Sequence, residues 1–189
     1  MSDKAVEAYL ISDPEYYGKT AESVAKATVN AIEKFHPEYA CFRDKSSGDY
    51  ASLAAGFIKA AKAAGCGCVL LHGDVVLAEK LGADGVHLTS MQFDEIEKAK
   101  ALGLYTVIST HTHEEVFRAA KMGADAVTYS PIFTTPNKGE PKGLEDLNEL
   151  VGKISLNIFA LGGITTPRQV QEIESTGVYG FASIRYFLT

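Results

Sequence analysis

The stretch Leu81-Gly82-Ala83-Asp84-Gly85-Val86 decides the fold, because the chain repeats it. It recurs as Met122-Gly123-Ala124-Asp125-Ala126-Val127 and, more loosely, as Thr176-Gly177-Val178-Tyr179-Gly180-Phe181. In each copy a segment of helical period ends on a glycine, which suits the left-handed conformation of a helix C-cap. An apolar run of strand length begins two or three residues later. The repeat therefore predicts that the chain returns from helix to strand in the same way several times.

Short apolar runs alternate with segments of helical period along the whole chain. The predicted strands are Ala5–Ile11, Tyr39–Phe42, Cys68–Leu71, Gly85–Leu88, Tyr105–Ile108, Ala126–Tyr129, Ile158–Leu161 and Gly180–Ile184. The predicted helices are 20–35, 51–64, 74–81, 93–101, 113–121, 144–152 and 167–175. Nearly continuous apolar strands are typical of a parallel sheet that is buried on both faces. The alternation predicts one α/β domain over residues 1–189, a (β/α)8 TIM barrel, with a doubly wound sheet as the alternative.

The predicted barrel has an eighth helix that is truncated or absent. Fewer than two helical turns follow the last predicted strand, and they contain Tyr186, Phe187 and Leu188. The gap would leave apolar barrel surface in water, so we expect a twofold homodimer with one of these residues at or near its interface. The alternative to a dimer is that a loop or the residues Met1–Lys4 of the same chain cover this apolar surface.

Composition excludes several classes of function. The 18 basic and 24 acidic residues give a formal charge of −6, which disfavours general binding to nucleic acid. No run approaches the roughly 18–20 apolar residues of a membrane helix, and the first residues lack a signal-peptide pattern. Cys41, Cys66 and Cys68 cannot all pair with one another and fit a reducing compartment. We therefore expect a cytoplasmic protein in which all three are small, buried apolar residues.

Functional side chains of such a barrel gather at the carboxyl ends of its strands. The candidates there are the basic or ionisable Arg43, Lys45, His72, His111 and Lys138, the hydroxyls Ser109, Thr135 and Ser183, and the backbone of Gly162, Gly163 and Ile184. The two glycines and the turn at Ser183 would expose bare amides where barrels commonly hold a phosphate. A tight turn that needs positive φ is the other explanation of Gly162-Gly163. We expect His87 to be buried, His113 to lie on a helix surface, and Asp74 to be a helix N-cap.

Several segments resemble the thiamine phosphate synthase/TenI superfamily. They are Arg43-Asp44-Lys45, Gly82 to Leu88, Ser109-Thr110-His111, Ser130 to Lys138, Ala160 to Ile164 and Gly180 to Ser183, in that order, covering nearly all of the chain from Ala8. The resemblance implies an enzyme of thiamine biosynthesis that couples a pyrimidine pyrophosphate to a thiazole phosphate and releases pyrophosphate.

The resemblance also implies roles for individual residues. Arg43 and Lys45 match the family's basic pair after the second strand, and Ser109 matches its strand-five serine. Thr135 and Lys138 match phosphate contacts after the sixth strand. Gly163 and the amides near Ser183 and Ile184 match a cradle for the thiazole phosphate.

Three positions depart from the synthase pattern. Cys41 stands in place of a glutamine, His72-Gly73 in place of Asn-Asp, and Gln92 in place of an aspartate. The two lost carboxylates are the family's magnesium ligands, and Mg²⁺ prefers hard anionic oxygens. We expect no tight metal site in the free chain, and Mg²⁺ only together with the substrate pyrophosphate.

The TenI branch, a thiazole tautomerase, is the main alternative function. It also lacks these carboxylates, and its Lys-Gly-x-x-x-Gly spacing is matched by 138–143. Its catalytic histidine falls at Pro131, and proline cannot transfer a proton, which leaves His72 and His111 as candidates. A catalytically silent protein that binds a phosphate ligand is a third possibility. Another phosphate-binding enzyme, such as an epimerase, would need an acid–base carboxylate pair that the sequence does not place.

Overall fold

Eight parallel strands close into a barrel in chain order, in a computed structural model that describes residues 6–136 and 138–188. The strands are β1 Glu7–Ile11, β2 Tyr39–Phe42, β3 Cys68–His72, β4 Gly85–Leu88, β5 Tyr105–Thr110, β6 Ala126–Tyr129, β7 Asn157–Leu161 and β8 Gly180–Ser183. The barrel closes where β1 pairs with β8, with Ala8 opposite Phe181 and Leu10 opposite Ser183. This closure confirms the TIM barrel and excludes the doubly wound sheet. The predicted start of β1 at Ala5 lies outside the described residues.

The helices cover the outside of the barrel. They are α1 Pro14–Tyr17, α2 Ala21–Phe35, α3 Tyr50–Ala63, α4 Val75–Lys80, α5 Ile96–Ala101, α6 His113–Lys121, α7 Gly143–Val151 and α8 Pro167–Glu174, with 3-10 turns at Phe93–Glu95 and Arg185–Leu188. All seven predicted helices are present, although the one expected at 93–101 is divided into a 3-10 turn and α5. The short α1 was not predicted. Asp13 caps it by accepting from the Glu15 N–H, and Pro14 occupies its first turn.

The repeated Gly-Ala-Asp segment connects a helix to the strand that follows it. It also forms a hydrogen bond to the strand that precedes that helix. Gly82 and Gly123 have φ of +68° and +87° and end their helices as left-handed caps. In each copy, the side chain of the following aspartate accepts a hydrogen bond from the backbone at the amino end of the previous strand. Asp84 accepts from the Val69 N–H at 2.9 Å, and Asp125 accepts from the Thr106 N–H at 2.7 Å. The repeat therefore builds the end of the barrel that lies opposite the carboxyl ends of the strands.

Side chains fill the barrel interior, so it is a core and not a channel. Tyr9, Tyr39 and Phe159 lie in one interior cluster, with the ring of Phe159 5.0 Å from each tyrosine ring. Cys41 is fully buried in the same cluster, and burial raises the pKa of its thiol to about 12. Cys66 is buried and Cys68 half-buried, and all three thiols are free. The prediction of apolar cysteines is thereby confirmed for the two buried ones, with Cys68 partly exposed.

The expected eighth helix is reduced to the single 3-10 turn Arg185–Leu188. Phe187 is only 3% exposed, because its ring lies against Phe35 of α2 and Phe181 of β8. The terminal turn therefore covers part of the surface that was expected to be bare, and Phe187 is not free for an interface. Leu188 is exposed. The alternative cover, Met1–Lys4, lies outside the described residues.

In the parts of the chain that the structure describes, no helix has both the length and the apolar character to cross a membrane.

Candidate active site

A cavity of about 510 Å³ opens at the carboxyl ends of the strands. All eleven residues predicted for the site line it: Arg43, Lys45, His72, Ser109, His111, Thr135, Lys138, Gly162, Gly163, Ser183 and Ile184. The fold thus gathers residues that are up to 141 positions apart in the chain, from Arg43 to Ile184. Their presence in one cavity is a fact of the structure, while the role of each remains a prediction.

Basic side chains line the cavity at more than one strand end. Arg43 and Lys45 follow β2, and Lys138 lies in the loop between β6 and α7. Arg43 pairs with Asp13 at 3.1 Å. Repulsion from Arg43, together with burial and the charge of Lys138, lowers the pKa of Lys45. Arg43 and Lys138 are therefore close enough to Lys45 to disfavour its charge, and a bound anion would relieve that repulsion.

The two glycines after β7 let the loop that follows β6 approach closely. Gly162 and Gly163 have φ of +103° and +71°, and a Cβ on Gly163 would lie 2.6 Å from the carbonyl oxygen of Thr134. The Phe133 N–H donates to the Gly162 carbonyl at 3.0 Å. The tight-turn explanation of these glycines is thus correct, and it is compatible with a phosphate cradle.

Backbone amides are available beside these glycines. Within residues 6–136 and 138–188, the N–H groups of Gly163 and Ile184 donate to no acceptor. The Ser183 hydroxyl, in contrast, is occupied: it donates to the Ile164 carbonyl at 2.7 Å and accepts from the Tyr186 N–H. An anion at this end of β7 and β8 would therefore be held by backbone and not by the serine side chain.

The histidines of the site differ in their surroundings. Burial lowers the pKa of His72 to about 4, and the charges of Arg43 and Lys45 add to the effect. This low pKa counts against His72 as a proton shuttle at neutral pH. His111 is held by Ser130, whose carbonyl oxygen lies 3.1 Å from the His111 Nδ1. His87 is buried and hydrogen-bonded, as expected.

His113 departs from its expected place on a helix surface. It is half-buried at the start of α6, with its Nε2 3.2 Å from a carboxylate oxygen of Asp146.

Sequence reasoning missed the contribution of the chain after β1. Asp13, which caps α1, lines the cavity together with Glu15 and Tyr16 of that helix, and Arg185 lines it from the last turn. The Asp13-Pro14 pair was a readable signal, because a capping aspartate followed by proline marks a helix start. A four-residue helix, however, is too short to show a helical period.

A model of one protein family, described as thiamine monophosphate synthase, matches residues 8–187. This chain belongs to the thiamine monophosphate synthase/TenI family. An Aquifex aeolicus protein named "Putative thiamine-phosphate synthase 2" is 30% identical, over 95% of this chain and 96% of its own length. A thiamine-phosphate synthase of Lactococcus lactis is 27% identical, over 95% of this chain and 87% of its own.

A solved structure shows the same fold as this member of the family. The thiamine phosphate pyrophosphorylase from Pyrococcus furiosus superposes with a TM-score of 0.78 at 24% identity, covering 95% of this chain and 86% of that one. The resemblance read from the motifs is therefore confirmed, as is the assignment to a family of thiamine biosynthetic enzymes.

Gly73 and Gln92, the two positions at which the resemblance places magnesium carboxylates, lie side by side but do not fit the metal. Gly73 has no side chain, and both ends of the Gln92 amide are hydrogen-bonded: Nε2 donates to the Gly73 carbonyl, while Oε1 accepts from the N–H and hydroxyl of Thr89. Asp74 caps α4 by accepting from the Leu77 N–H, as predicted. Among the described residues no group of three or more metal-binding side chains occurs.

Proposed function

We propose that this chain couples hydroxymethylpyrimidine pyrophosphate to a phosphorylated thiazole and releases pyrophosphate. In that reaction the bond between the pyrimidine methylene carbon and a pyrophosphate oxygen breaks. The thiazole nitrogen then bonds to the same carbon, and the leaving group departs with the bond electrons. Negative charge therefore develops on the pyrophosphate, and catalysis requires groups that stabilise it there.

The observation that carries this proposal is the crowding of Arg43, Lys45 and Lys138. The nearby Arg43 and Lys138 lower the pKa of Lys45, so its charge is costly without a ligand, and a multiply charged anion offsets that cost. Asp13 compensates only Arg43. Gly73 and Gln92 stand in place of carboxylates that would hold a metal. The side chains of Arg43, Lys45 and Lys138 are therefore the groups best placed to stabilise a leaving pyrophosphate.

A second anion site supports a reaction with two phosphorylated substrates. The unpaired amides of Gly163 and Ile184 lie at the ends of β7 and β8, which β1 separates from the cations after β2. Backbone amides in this arrangement suit a single phosphate group. We assign this end of the cavity to the thiazole phosphate and the end of β2, with Arg43 and Lys45, to the pyrophosphate.

The lowered pKa of His72 counts against one of the two candidate bases for the TenI-type isomerisation and leaves His111 as the other. A base with a pKa of about 4 abstracts a proton poorly at neutral pH, and Pro131 offers no alternative. The hydrogen bond between Gln92 and Gly73 supports a second candidate, a silent homologue that binds the phosphate ligands without turnover.

One set of assays separates these functions. The chain is incubated with each thiazole phosphate isomer, with and without pyrimidine pyrophosphate, and with Mg²⁺ or a chelator. Coupled product supports the proposal, isomerisation alone supports the tautomerase, and tight binding without either reaction supports the silent protein. Lys45→Met and Lys138→Met should each reduce coupling at least tenfold. Lys62→Met, which removes an exposed cation paired with Asp84 outside the cavity, is the matched control and should retain full activity.

We further propose a cytoplasmic homodimer. The free thiols support a reducing compartment. A second copy would cover the exposed Leu188 and the apolar groove of about 200 Å³ that the terminal turn forms with α2. Light scattering at micromolar concentration tests the assembly, since a mass near that of one 20.3 kDa chain would contradict it.

A further inference from the structure

A hydrogen-bonded chain of three side chains crosses the barrel interior and ends in the cavity. The Tyr9 hydroxyl lies 2.8 Å from the Nδ1 of His87, and the Nε2 of His87 lies 3.1 Å from the Oγ of Ser109. Tyr9 is fully buried and His87 is 3% exposed. Ser109 lines the cavity at the end of this chain.

The direction of the first hydrogen bond follows from the surroundings of Tyr9. A buried hydroxyl must donate its hydrogen, since an unmade hydrogen bond in the interior costs free energy. In the described part of the chain, Nδ1 of His87 is the one nitrogen or oxygen within hydrogen-bond distance of this hydroxyl. Cys41, the other neighbour of Tyr9, offers only a thiol sulfur, which is a weak acceptor. Tyr9 therefore donates to Nδ1.

The direction of the second bond follows from the first. Burial lowers the pKa of His87 well below its usual value, with the nearby His72 and Arg43 adding to the effect, so the imidazole is neutral. A neutral imidazole that accepts at Nδ1 carries its hydrogen on Nε2. Nε2 then donates to Ser109, which is closer than the Thr128 hydroxyl at 3.5 Å.

We propose that Tyr9 and His87 are positioning residues that fix Ser109 as a hydrogen-bond donor to an anionic oxygen of the ligand. Because Ser109 accepts from His87, its own hydrogen remains for a partner in the cavity, and none of the described residues accepts it. The reverse direction would make His87 a base and Ser109 a nucleophile, but it would leave the Tyr9 hydrogen without a good acceptor. The identity of the anionic oxygen as pyrophosphate rests on the proposed function, whereas the direction of the two bonds does not.

A double-mutant cycle tests whether Tyr9 acts through Ser109. The probe is inorganic pyrophosphate, and its affinity is measured by titration calorimetry. Ser109→Ala should weaken binding about tenfold, since hydrogen bonds to charged groups are worth more than neutral ones. Tyr9→Phe should weaken it about threefold in the native background and not at all in the Ser109→Ala background. Tyr39→Phe is the matched control: it removes a hydroxyl from the same interior cluster, bonded to Tyr179 and not to His87, and should leave the affinity unchanged.

A tautomer measurement provides a readout that does not depend on ligand. Nitrogen NMR of the 15N-histidine-labelled protein should show the hydrogen of His87 on Nε2, with the signal assigned by its loss in His87→Gln. A hydrogen on Nδ1 would overturn the inference, as would a Tyr9→Phe effect that is equal in both backgrounds or absent from both. If the native chain does not bind pyrophosphate, the proposed function fails, and the tautomer alone decides the direction of the bonds. If Tyr9→Phe fails to fold, the tautomer measurement on the native chain still decides the direction of the two hydrogen bonds.

Discussion

The side-chain amide of Gln92 donates a 2.7 Å hydrogen bond to the backbone carbonyl of Gly73. These two residues occupy the positions at which the family resemblance places magnesium carboxylates. A Cβ on Gly73 would lie 3.8 Å from the Gln92 Oε1, so side chains at the two positions would face each other. The bond joins the loops after β3 and β4 where two like charges would otherwise need a cation between them.

Replacing this pair by carboxylates should introduce a metal site. We expect no micromolar Mg²⁺ binding by the native chain without ligand, and measurable binding by the double variant Gly73→Asp with Gln92→Asp. Aspartate tolerates the φ of +79° at position 73 better than most residues. Titration calorimetry is the measurement, and Gln92→Asn, which adds no charge, is the control. Micromolar Mg²⁺ binding by the native chain would contradict the prediction.

The Gly-Ala-Asp repeat and the apolar runs predict every strand of the barrel, because strands of a buried parallel sheet are short, nearly continuous runs of apolar residues. The candidate site follows from the barrel, since strand ends meet at one mouth. Contacts between residues that are far apart in the sequence, in contrast, do not follow from these patterns. Tyr9 and His87 are 78 positions apart, and the pattern of each strand indicates only that both side chains are buried. The sequence predicts that Ser183 lies at the cavity, but the hydrogen bonds of its hydroxyl with Ile164 and Tyr186 depend on a turn that no local pattern reveals.

Substitution of Gly163 should weaken phosphate binding through the neighbouring loop. An added Cβ would collide with the Thr134 carbonyl and displace the segment that carries Thr135 and Lys138. We expect Gly163→Ala to reduce the affinity for inorganic phosphate at least tenfold, which corresponds to about 1.4 kcal/mol. The control is Gly139→Ala in the same loop, because a Cβ there meets nothing within 4 Å. Unchanged affinity in calorimetry of Gly163→Ala would remove the amide cradle from the site.

The low pKa of His72 should make the protein less stable in mild acid. Between a pKa near 6.5 in the unfolded chain and about 4 in the folded one, the unfolded chain holds more protons. The free energy of unfolding therefore falls as pH decreases through this window, by at most about 1.4 kcal/mol per pH unit for one histidine. His72→Asn should make that decrease shallower in urea unfolding at pH 7, 6 and 5.

His36→Asn provides the matched control for this pH dependence. His36 is an exposed residue that ends α2 with a φ of +47°, a conformation that asparagine also adopts. The variant removes one imidazole without touching Arg43 or Lys45, so the native slope should persist. A slope that stays the same in His72→Asn as in the native chain would show that His72 does not contribute.

Asp84 and Asp125 should contribute to stability and not to binding. Each accepts a backbone N–H at the amino end of a neighbouring strand and pairs with a lysine, Lys62 or Lys100. Replacing either by alanine leaves a buried strand N–H without its acceptor, which costs about 1–3 kcal/mol of unfolding free energy. Asp84→Asn and Asp125→Asn keep an oxygen that accepts this bond, so each should recover part of the loss.

Since Asp84 and Asp125 both lie at the end of the barrel opposite the cavity, pyrophosphate affinity should stay unchanged in all four variants. Urea unfolding and calorimetry on the same preparations provide the two readouts. An alanine variant that keeps native stability, or one that loses affinity while remaining folded, would contradict this division between the two ends of the barrel.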